Sequence, residues 1–430
     1  MMVSKITLDP TTDPNSTVWA QFCPACSSSS RIPFGPFNHF CQKRWRKPVV
    51  SAQTRLEGRT RDLKLDKLAT QLQKFRVILK LHELMTNRKR GPFVSLQIMS
   101  RWRNIVGVRI GIGEFLHKYP HVFDVFPHPV RRNLCCRITG KMTALMKQEE
   151  NVINDMEIET VQRLKKLLMM SVNGTLHVHA LRLISRELGL PDGFRESILE
   201  KYSDDFRLVD LEIVELVEKH EDGAVAEVEK WREREFREKW LSEFDVKYAF
   251  PINFPTGFII EGGFREKLRN WQRLPYTQPY EKRQRFGHRS SGGVQRHEKR
   301  AVAVLHELLS LTVEKLVDVD RLVHFRRDFA IEVNIRELLL KHPGVFYIST
   351  KGTTQIVFLR EAYAKGCLVE PNPIYIVRRK MQDLVLLGRR HTKQLESSME
   401  IKENDNAADN GDWLSKSEGS WVLPILQGFD

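Results

Sequence analysis

The chain has 430 residues, of which 41% are hydrophobic, and its formal net charge at pH 7 is +15. A chain of this length can bury a substantial core and is predicted to form two or three packing units. No segment reaches the roughly 18 consecutive apolar residues that a membrane span requires, so we predict a soluble protein without a membrane partner. The positive charge predicts a polyanionic partner, most simply nucleic acid.

The charged residues are unevenly distributed along the chain. Residues 57 to 140 hold 17 Lys and Arg against 6 Asp and Glu, and residues 264 to 300 hold 11 against 3. Between these blocks, residues 200 to 245 hold 16 acidic residues against 8 basic ones. Basic blocks separated by an acidic one are typical of a surface for one anionic ligand rather than of uniform solubilisation.

The N-terminal segment has the composition of a targeting sequence. No acidic residue occurs between Asp13 and Glu57, whereas arginines, lysines and serines accumulate there. Such composition is typical of organelle transit peptides, although Asp9 and Asp13 count against one. We predict that residues 1–56 are a transit peptide, with a disordered basic tail as the alternative. Its arginines and nearby aromatic residues favour the mitochondrion over the chloroplast.

The cysteines and histidines give weak support for a metal site. Cys23 and Cys26 form a lone CxxC pair, but His39 and Cys41 behind it are too close together for zinc-finger geometry. The glycines of "GVRIGIG" match neither a dinucleotide-binding nor a phosphate-binding loop. We predict no metal, no cofactor and no small-molecule substrate.

The three cysteines further along the chain are predicted to be small buried residues. They are Cys135, Cys136 and Cys367, which lie in apolar or strand-like contexts. A thiol hydrolase built on Cys367 is an alternative, but no histidine in the local sequence stands out as its base. We therefore predict that the chain is not an enzyme.

A phrase of nine residues occurs three times, as "FLHKYPHVF" at 115–123, "ILEKYSDDF" at 198–206 and "LLLKHPGVF" at 338–346. The phrase predicts the end of a helix followed by the start of a strand, with its leucine and phenylalanine in the core. Its lysine suits the negative end of the helix dipole. Proline ends the helix in the first and third copies, where the second copy has Ser203.

The remaining elements follow in chain order. Apolar residues at helical spacing predict a helix over 65–85, ending at "TNRKRGP". Each copy of the phrase then belongs to two short helices and two strands, the strands being "VFDVF" with "NLCCRI", "FRLVD" with "IVELV", and "VFYIST" with "TQIVFLR". "EVEKWREREFREKWLSEF" and "AVAVLHELLSLTVEKL" predict connecting helices, and "AFPINFPTGF" predicts an extended connector.

The fold class is therefore predicted to be α+β and mostly helical. It contains three winged-helix-like units, each of two helices plus a β-hairpin, joined by helical and extended connectors. The units are placed at about 68–150, 160–250 and 300–365. A flexible basic linker is predicted at 280–300 and a disordered acidic tail at 394–430.

Several long blocks give the chain a family resemblance. "FLHKYPHVF", "LGLPDGFRESILEKYSDDFRLVDLE", "FPINFPTGF", "WQRLPYTQPYEKR", "EKRAVAVLHELLSLTVEKL" and "LLLKHPGVFYISTKGTTQIVFLREAY" occur in that order. In these blocks the chain resembles the plant organelle RNA recognition domain family, the "what's this factor 1" proteins and their homologues, over roughly residues 57–390, and the RNA recognition domain is placed at 57–393. The resemblance implies a non-catalytic protein that binds intron RNA in mitochondria or chloroplasts, promotes group II intron splicing and works with other organellar splicing factors.

Basic residues and one tryptophan in the two basic blocks are the predicted RNA contacts, because phosphates need Lys or Arg and unstacked bases need aromatic rings. They are Lys74, Arg76, Lys80, Arg88, Lys89, Arg90, Arg101, Trp102, Arg103, Arg109, Arg131, Arg132, Arg283 and Arg285. A core position for Trp102 is the alternative reading of that residue. The repeated prolines also resemble those of mitochondrial transcription termination factors, which would predict an all-helical nucleic-acid binder.

Overall fold

The structure is a computed structural model, and it describes residues 60–88, 91–217, 224–239, 247–259, 262–281 and 293–388. The predicted transit peptide, the predicted acidic tail and most of the predicted basic linker lie outside these ranges. Within the described ranges, no helix is long and apolar enough to cross a membrane.

One arrangement occurs three times, in repeat 1 (residues 94–138), repeat 2 (175–216) and repeat 3 (316–359). Each repeat begins with a short strand, continues through short helical segments and ends in an antiparallel hairpin, whose second strand lies in the middle of a three-stranded sheet. The strands of repeat 1 are Val94–Ser95, Phe123–Pro127 and Leu134–Ile138. Those of repeat 2 are Thr175–His177, Phe206–Val209 and Ile213–Leu216. Those of repeat 3 are Leu316–Asp318, Phe346–Ser349 and Ile356–Leu359. The helical segments of repeat 1 are Leu96–Arg101, Arg103–Val106 and Ile112–His117. Those of repeat 2 are Val178–Leu183, Ser185–Leu188 and the π-helical Arg195–Glu200. Those of repeat 3 are Val319–Leu322, the 3-10 turn Val323–Phe325 and Ile335–Lys341.

Longer helices connect and flank the repeats. They are the first helix Leu63–Thr86, Gly140–Asp155, Glu157–Met169, Glu227–Lys239, the basic helix Gly262–Arg273, Gly293–Leu311, and the C-terminal helix over 373–388. A 3-10 turn at Arg360–Ala362 and a ribbon of Tyr363–Ala364 with Cys367–Leu368 follow repeat 3. Several helices begin at a capping side chain: the Asp62 carboxylate accepts from the backbone N–H of Lys64 and Leu65, and Asn334 accepts from Arg336 and Glu337.

The α+β prediction is confirmed, and all three predicted hairpins are present. The register pairs Phe123 with Ile138, Phe206 with Leu216 and Phe346 with Leu359, so the phenylalanine of the repeated phrase opens a strand each time. Strands are therefore part of the described fold, which excludes the all-helical alternative. The sequence analysis missed the short first strand of each repeat, because two or three residues are too few to show alternation.

The first helix is shared between two cores. Its N-terminal half, including Leu68 and Leu72, packs on one face of the repeat 3 sheet. Its C-terminal half, including Phe75 and Ile78, packs in the core of repeat 1. Repeats 2 and 3 together form the largest core, which also receives Phe250. The predicted unit boundary at residue 68 thus falls within a helix that repeats 1 and 3 share.

Two of the three cysteines predicted to be buried are buried. Cys135 and Cys136 lie on the central strand of the repeat 1 sheet, and burial raises the pKa of Cys136 to about 12. The prediction is wrong for Cys367, which is exposed. Cys367 precedes the buried Leu368 on a two-residue strand, and alternation along a strand turns neighbouring side chains to opposite faces.

Candidate nucleic-acid interface

The hairpin loop of repeat 1, residues 128–133, holds two arginines at its tip. The His128 ring nitrogen Nδ1 accepts hydrogen bonds from the backbone N–H groups of Val130 and Arg131, each at 3.1 Å. The backbone of His128 also pairs with Arg132 and Asn133, at 2.9 and 2.8 Å. Arg131 and Arg132 are exposed, and Val130, which precedes them in the loop, is 83% exposed. The loop's own hydrogen bonds thus fix the backbone that carries two exposed arginines.

The helical segments of repeat 1 and the turns that join them carry four further predicted contacts. Arg101 and Arg109 are exposed. The guanidinium of Arg103 donates to the backbone carbonyls of Val108, at 3.2 Å, and Arg109, so this side chain also closes the loop after its own helix. Trp102 is half-buried and packs against the repeat 1 core, as the alternative reading of this residue expected.

The three predicted contacts on the first helix point in different directions. Lys74 and Lys80 are exposed, but at about 100° per residue they lie roughly 120° apart around the helix. Arg76 is only partly exposed, and its guanidinium is 2.6 Å from Asp318 and 3.5 Å from Glu187. Burial lowers the pKa of Arg76, but these carboxylates raise it by more. We assign Arg76 to the junction between repeats and omit it from the proposed RNA contacts.

The same junction contains further ion pairs between elements distant in sequence. Arg321 in repeat 3 is 2.6 Å from Glu187 in repeat 2. Glu149 accepts from Arg378 of the C-terminal helix at 2.6 Å and from Arg186 of repeat 2 at 3.1 Å. Burial raises the pKa of Glu149, but these two arginines lower it by more, so the net shift is downward. The ion pairs therefore join repeats 2 and 3 to the first helix, to the helix Gly140–Asp155 and to the C-terminal helix.

The remaining predicted contacts are only partly described. Arg88 is half-buried at the end of the first helix. Lys89, Arg90, Arg283 and Arg285 lie outside the described residues.

The hairpin loops of repeats 2 and 3 differ from that of repeat 1. Repeat 2 turns tightly through Asp210 and Leu211, both in the left-handed region with φ of 49° and 59°. In repeat 3 the loop is covered by the first helix, since the Gln73 amide donates to Thr354 at 2.8 Å and accepts from Thr353 at 3.1 Å. Among these three loops, all within the described part of the chain, the one in repeat 1 presents an exposed arginine pair.

The sequence analysis missed a groove of about 640 Å³ beside repeat 3. One wall is the basic helix, through Phe264, Leu268 and Trp271, and the opposite wall is the segment Lys341–Val345 of the third repeated phrase. Ile252 and Phe254 of the extended connector form the floor. The signal was present in the sequence, because aromatic and basic residues interleave in "FREKLRNWQR".

Gly344 explains how the groove floor approaches the third phrase so closely. A Cβ atom at this position would lie 2.6 Å from Ile252 Cγ2 and 3.1 Å from Phe254 Cε1. The backbone N–H of Asn253 donates to the Gly344 carbonyl at 2.8 Å. The first phrase has His121 at the equivalent position, so the connector can pack in this way on repeat 3 but not on repeat 1.

Exposed arginines on a loop and a groove with aromatic and basic residues are typical of proteins that contact an anionic polymer. The family model described as "Plant organelle RNA recognition domain" matches residues 60–390, and the chain belongs to that family. No solved structure matches the chain.

Similar proteins come from Arabidopsis thaliana and rice. The chain is 38% identical over 364 residues to Protein ROOT PRIMORDIUM DEFECTIVE 1 of Arabidopsis thaliana, covering 81% of this chain and 88% of that protein. It is 32% identical to Protein WHAT'S THIS FACTOR 1 homolog, chloroplastic, of Oryza sativa subsp. japonica, covering 84% and 72%. It is 28% identical to Protein WHAT'S THIS FACTOR 9, mitochondrial, of Arabidopsis thaliana, covering 70% and 78%. These relatives therefore include both chloroplastic and mitochondrial proteins.

Proposed function

We propose that this protein binds intron RNA in a plant organelle and promotes group II intron splicing by stabilising the folded RNA, without catalytic residues of its own. Membership of an RNA recognition family supports the RNA partner. A large folded RNA offers closely spaced phosphates and unpaired bases, which Lys, Arg and aromatic side chains can contact. Other organellar splicing factors are the expected protein partners.

The observation that carries the proposal is the preorganised arginine loop of repeat 1. Arg131 and Arg132 are exposed at the tip of a hairpin whose backbone is fixed by His128. A loop whose backbone is already ordered loses little backbone freedom on binding a phosphate. Arg101 and Arg109 are exposed in the same repeat and extend the proposed contact surface.

Two further assignments belong to this proposal. Each repeat is a winged-helix-like unit, because a short strand, helices and a hairpin follow in that order, and the loop of repeat 1 is then its wing. The RNA recognition domain spans about 57–393, with a transit peptide before it directing the chain to the mitochondrion or, as the alternative, to the chloroplast. A fusion of residues 1–60 to a fluorescent protein tests the proposed localisation. A diffuse cytosolic signal would contradict both the mitochondrial and the chloroplast assignment.

The decisive experiment is to purify the tagged chain from plant organelles and sequence the RNA bound to it. We expect enrichment of group II intron sequences over exon and ribosomal RNA from the same extract. A parallel purification of the variant Arg131→Gln/Arg132→Gln should recover less intron RNA at equal protein yield. Equal recovery of all organellar RNA classes by the parent chain would contradict the proposal.

A further inference from the structure

The groove beside repeat 3 combines aromatic walls with a basic rim. Lys267 and Lys341 are exposed on its two sides, and the amides of Asn270 and Gln295 are exposed at its edge. The basic helix that forms one wall has four basic residues, Arg265, Lys267, Arg269 and Arg273, against one acid, Glu266. A ligand with a flat apolar part and a negative charge matches this lining.

The acid in the groove does not oppose an anion strongly. Glu298 lies 3.3 Å from the Lys341 ammonium and 3.7 Å from His342 Nε2. The neighbouring His342 imidazole and the charge of Lys341 keep the pKa of Glu298 below its usual value, although burial acts in the opposite direction. Its carboxylate is thus already paired with the Lys341 ammonium of the groove wall.

The aromatic rings of the groove are not equivalent. Trp271 has the buried Lys299 ammonium over its ring, 4.8 Å from the ring centroid, and the His342 ring 4.7 Å away. These neighbours make Trp271 a fixed part of the wall. Phe264 meets Phe254 and Phe258 at interplanar angles of 67° and 58° and is only half-buried. Phe264 is therefore the ring best placed to stack on a ligand.

We infer that this groove binds a single unpaired nucleotide of the RNA, with the base stacked on Phe264 and a neighbouring phosphate at the basic rim. The volume of about 640 Å³ lies within the range of about 300–1,000 Å³ typical of small-molecule sites. Base stacking on aromatic rings beside basic residues is the usual means of binding single-stranded RNA. The inference rests on the proposed RNA-binding function and adds a second, base-reading site to the arginine loop of repeat 1.

The test measures binding of the full chain to a fluorescein-labelled 20-nucleotide oligouridylate. Phe264→Leu keeps an apolar side chain but removes the aromatic face, so affinity should fall about fivefold or more. The matched control is Phe236→Leu on the charged helix Glu227–Lys239, where Phe236 is 49% exposed and lies outside the groove. This control should bind within twofold of the parent chain. Both variants should show circular dichroism spectra like that of the parent.

An abasic oligomer of the same length separates stacking from charge. It keeps the phosphates but lacks bases, so Phe264→Leu and the parent should bind it equally. In addition, 4-thiouridine in the oligouridylate should cross-link on irradiation to the peptide containing residues 264–271, a measurement that decides the question if the variant fails to fold.

The outcomes distinguish this inference from the proposed function. A parent chain that binds neither oligouridylate nor organellar RNA contradicts both. The groove assignment alone is overturned if the parent chain binds organellar RNA but two results fail to appear. These are a weaker binding of oligouridylate by Phe264→Leu than by Phe236→Leu, and a cross-link at residues 264–271. That outcome is also the one expected if the groove receives a peptide segment instead of RNA.

Discussion

Repeats 1 and 3 have the same order of elements but bury their sheets differently. In repeat 3 both faces are covered: Phe346 and Ile348 face the core shared with repeat 2, and Tyr347 faces the first helix. In repeat 1 one face is only partly covered: Phe123 is buried, whereas the neighbouring Asp124 pairs across the sheet with Arg137 at 2.8 Å near the surface. The sheet of repeat 3 therefore serves as a structural centre, whereas part of the sheet of repeat 1 is exposed to solvent.

The hairpin loops differ in the same way. Gln73 of the first helix occupies the loop of repeat 3, and no equivalent helix covers Arg131 and Arg132 in the described part of repeat 1. One topology thus produces a covered loop and an exposed loop, depending on which helix packs against it. Four sets of variants can test this contrast.

The largest expected effect comes from the phenylalanine that opens the second strand of each repeat. Phe346→Ala and Phe123→Ala each remove a side chain that is at most 2% exposed. Each should lower the free energy of unfolding by about 3 to 5 kcal/mol, because a cavity remains in a packed core. Thermal and urea unfolding measure this loss.

Hydrogen exchange should separate the two variants. Phe346→Ala should weaken protection throughout repeats 2 and 3, which share a core, whereas Phe123→Ala should weaken it mainly at 123–138. The same pattern of exchange in both variants would contradict the division into a structural centre and a peripheral repeat.

The next effect concerns the buried Asp66, which attaches the first helix to the repeat 3 sheet. Its carboxylate accepts from Ser349 at 2.6 Å and Tyr347 at 3.0 Å, and pairs with Arg61. Burial raises the pKa of Asp66, but these hydrogen bonds lower it by more. The carboxylate therefore contributes stability above the ordinary Asp pKa, and this contribution is lost as pH falls through the lowered folded value.

Asp66→Asn should cost about 1.5 to 3 kcal/mol at pH 7 and progressively less as the solution is acidified below pH ~4. The matched control is Asp124→Asn in repeat 1, whose ion pair is exposed and should contribute at most about 1 kcal/mol. Urea unfolding of both variants between pH 3 and 7 measures the difference. A pH-independent loss for Asp66→Asn would contradict the role assigned to its charge.

A smaller effect is expected where the first helix covers the repeat 3 hairpin. Gly352 has φ of 131°, and a Cβ there would lie 2.5 Å from Gln73 Cγ. Gly352→Ala should cost about 1 to 3 kcal/mol. Gly107→Ala in repeat 1, at φ of 75° with open space around it, should cost less because only the backbone is strained.

The double variant Gly352→Ala/Gln73→Ala isolates the contact with the first helix. Because Gln73→Ala removes the clashing side chain, the two changes together should cost less than the sum of the single changes. Thermal unfolding of the four members of this cycle is the measurement. Strict additivity would show that Gln73 does not cover the loop.

The smallest effect on stability is expected at the arginine loop. Arg131→Gln/Arg132→Gln should change the free energy of unfolding by no more than about 0.5 kcal/mol, because both side chains are exposed. Losing two phosphate contacts should reduce the slope of log affinity against log salt by about 1.4 for single-stranded RNA. Fluorescence anisotropy at salt concentrations between about 50 and about 300 mM measures this slope. An unchanged slope would remove the loop from the RNA-binding surface.

The chain sequence by itself determined the repeated hairpins and the family. The phrases around Lys118, Lys201 and Lys341 mark helix ends, since a lysine at a helix C-terminus followed by an apolar strand is a local signal. Local sequence also distinguishes the two sheets, because "FDVFP" interrupts its apolar residues with Asp124 whereas "FYIS" is apolar on both faces until Ser349.

Only the tertiary structure decided which of the basic residues face solvent. Arg76 and Lys74 lie two positions apart on one helix, yet Arg76 is paired with Asp318, 242 residues away in the chain, and Lys74 is exposed. The groove likewise requires the connector, the basic helix and the third phrase to meet, with Gly344 allowing the close approach. Contacts between segments so distant in sequence leave no local pattern, because neither periodicity nor composition of one segment specifies which other segment will pack on it.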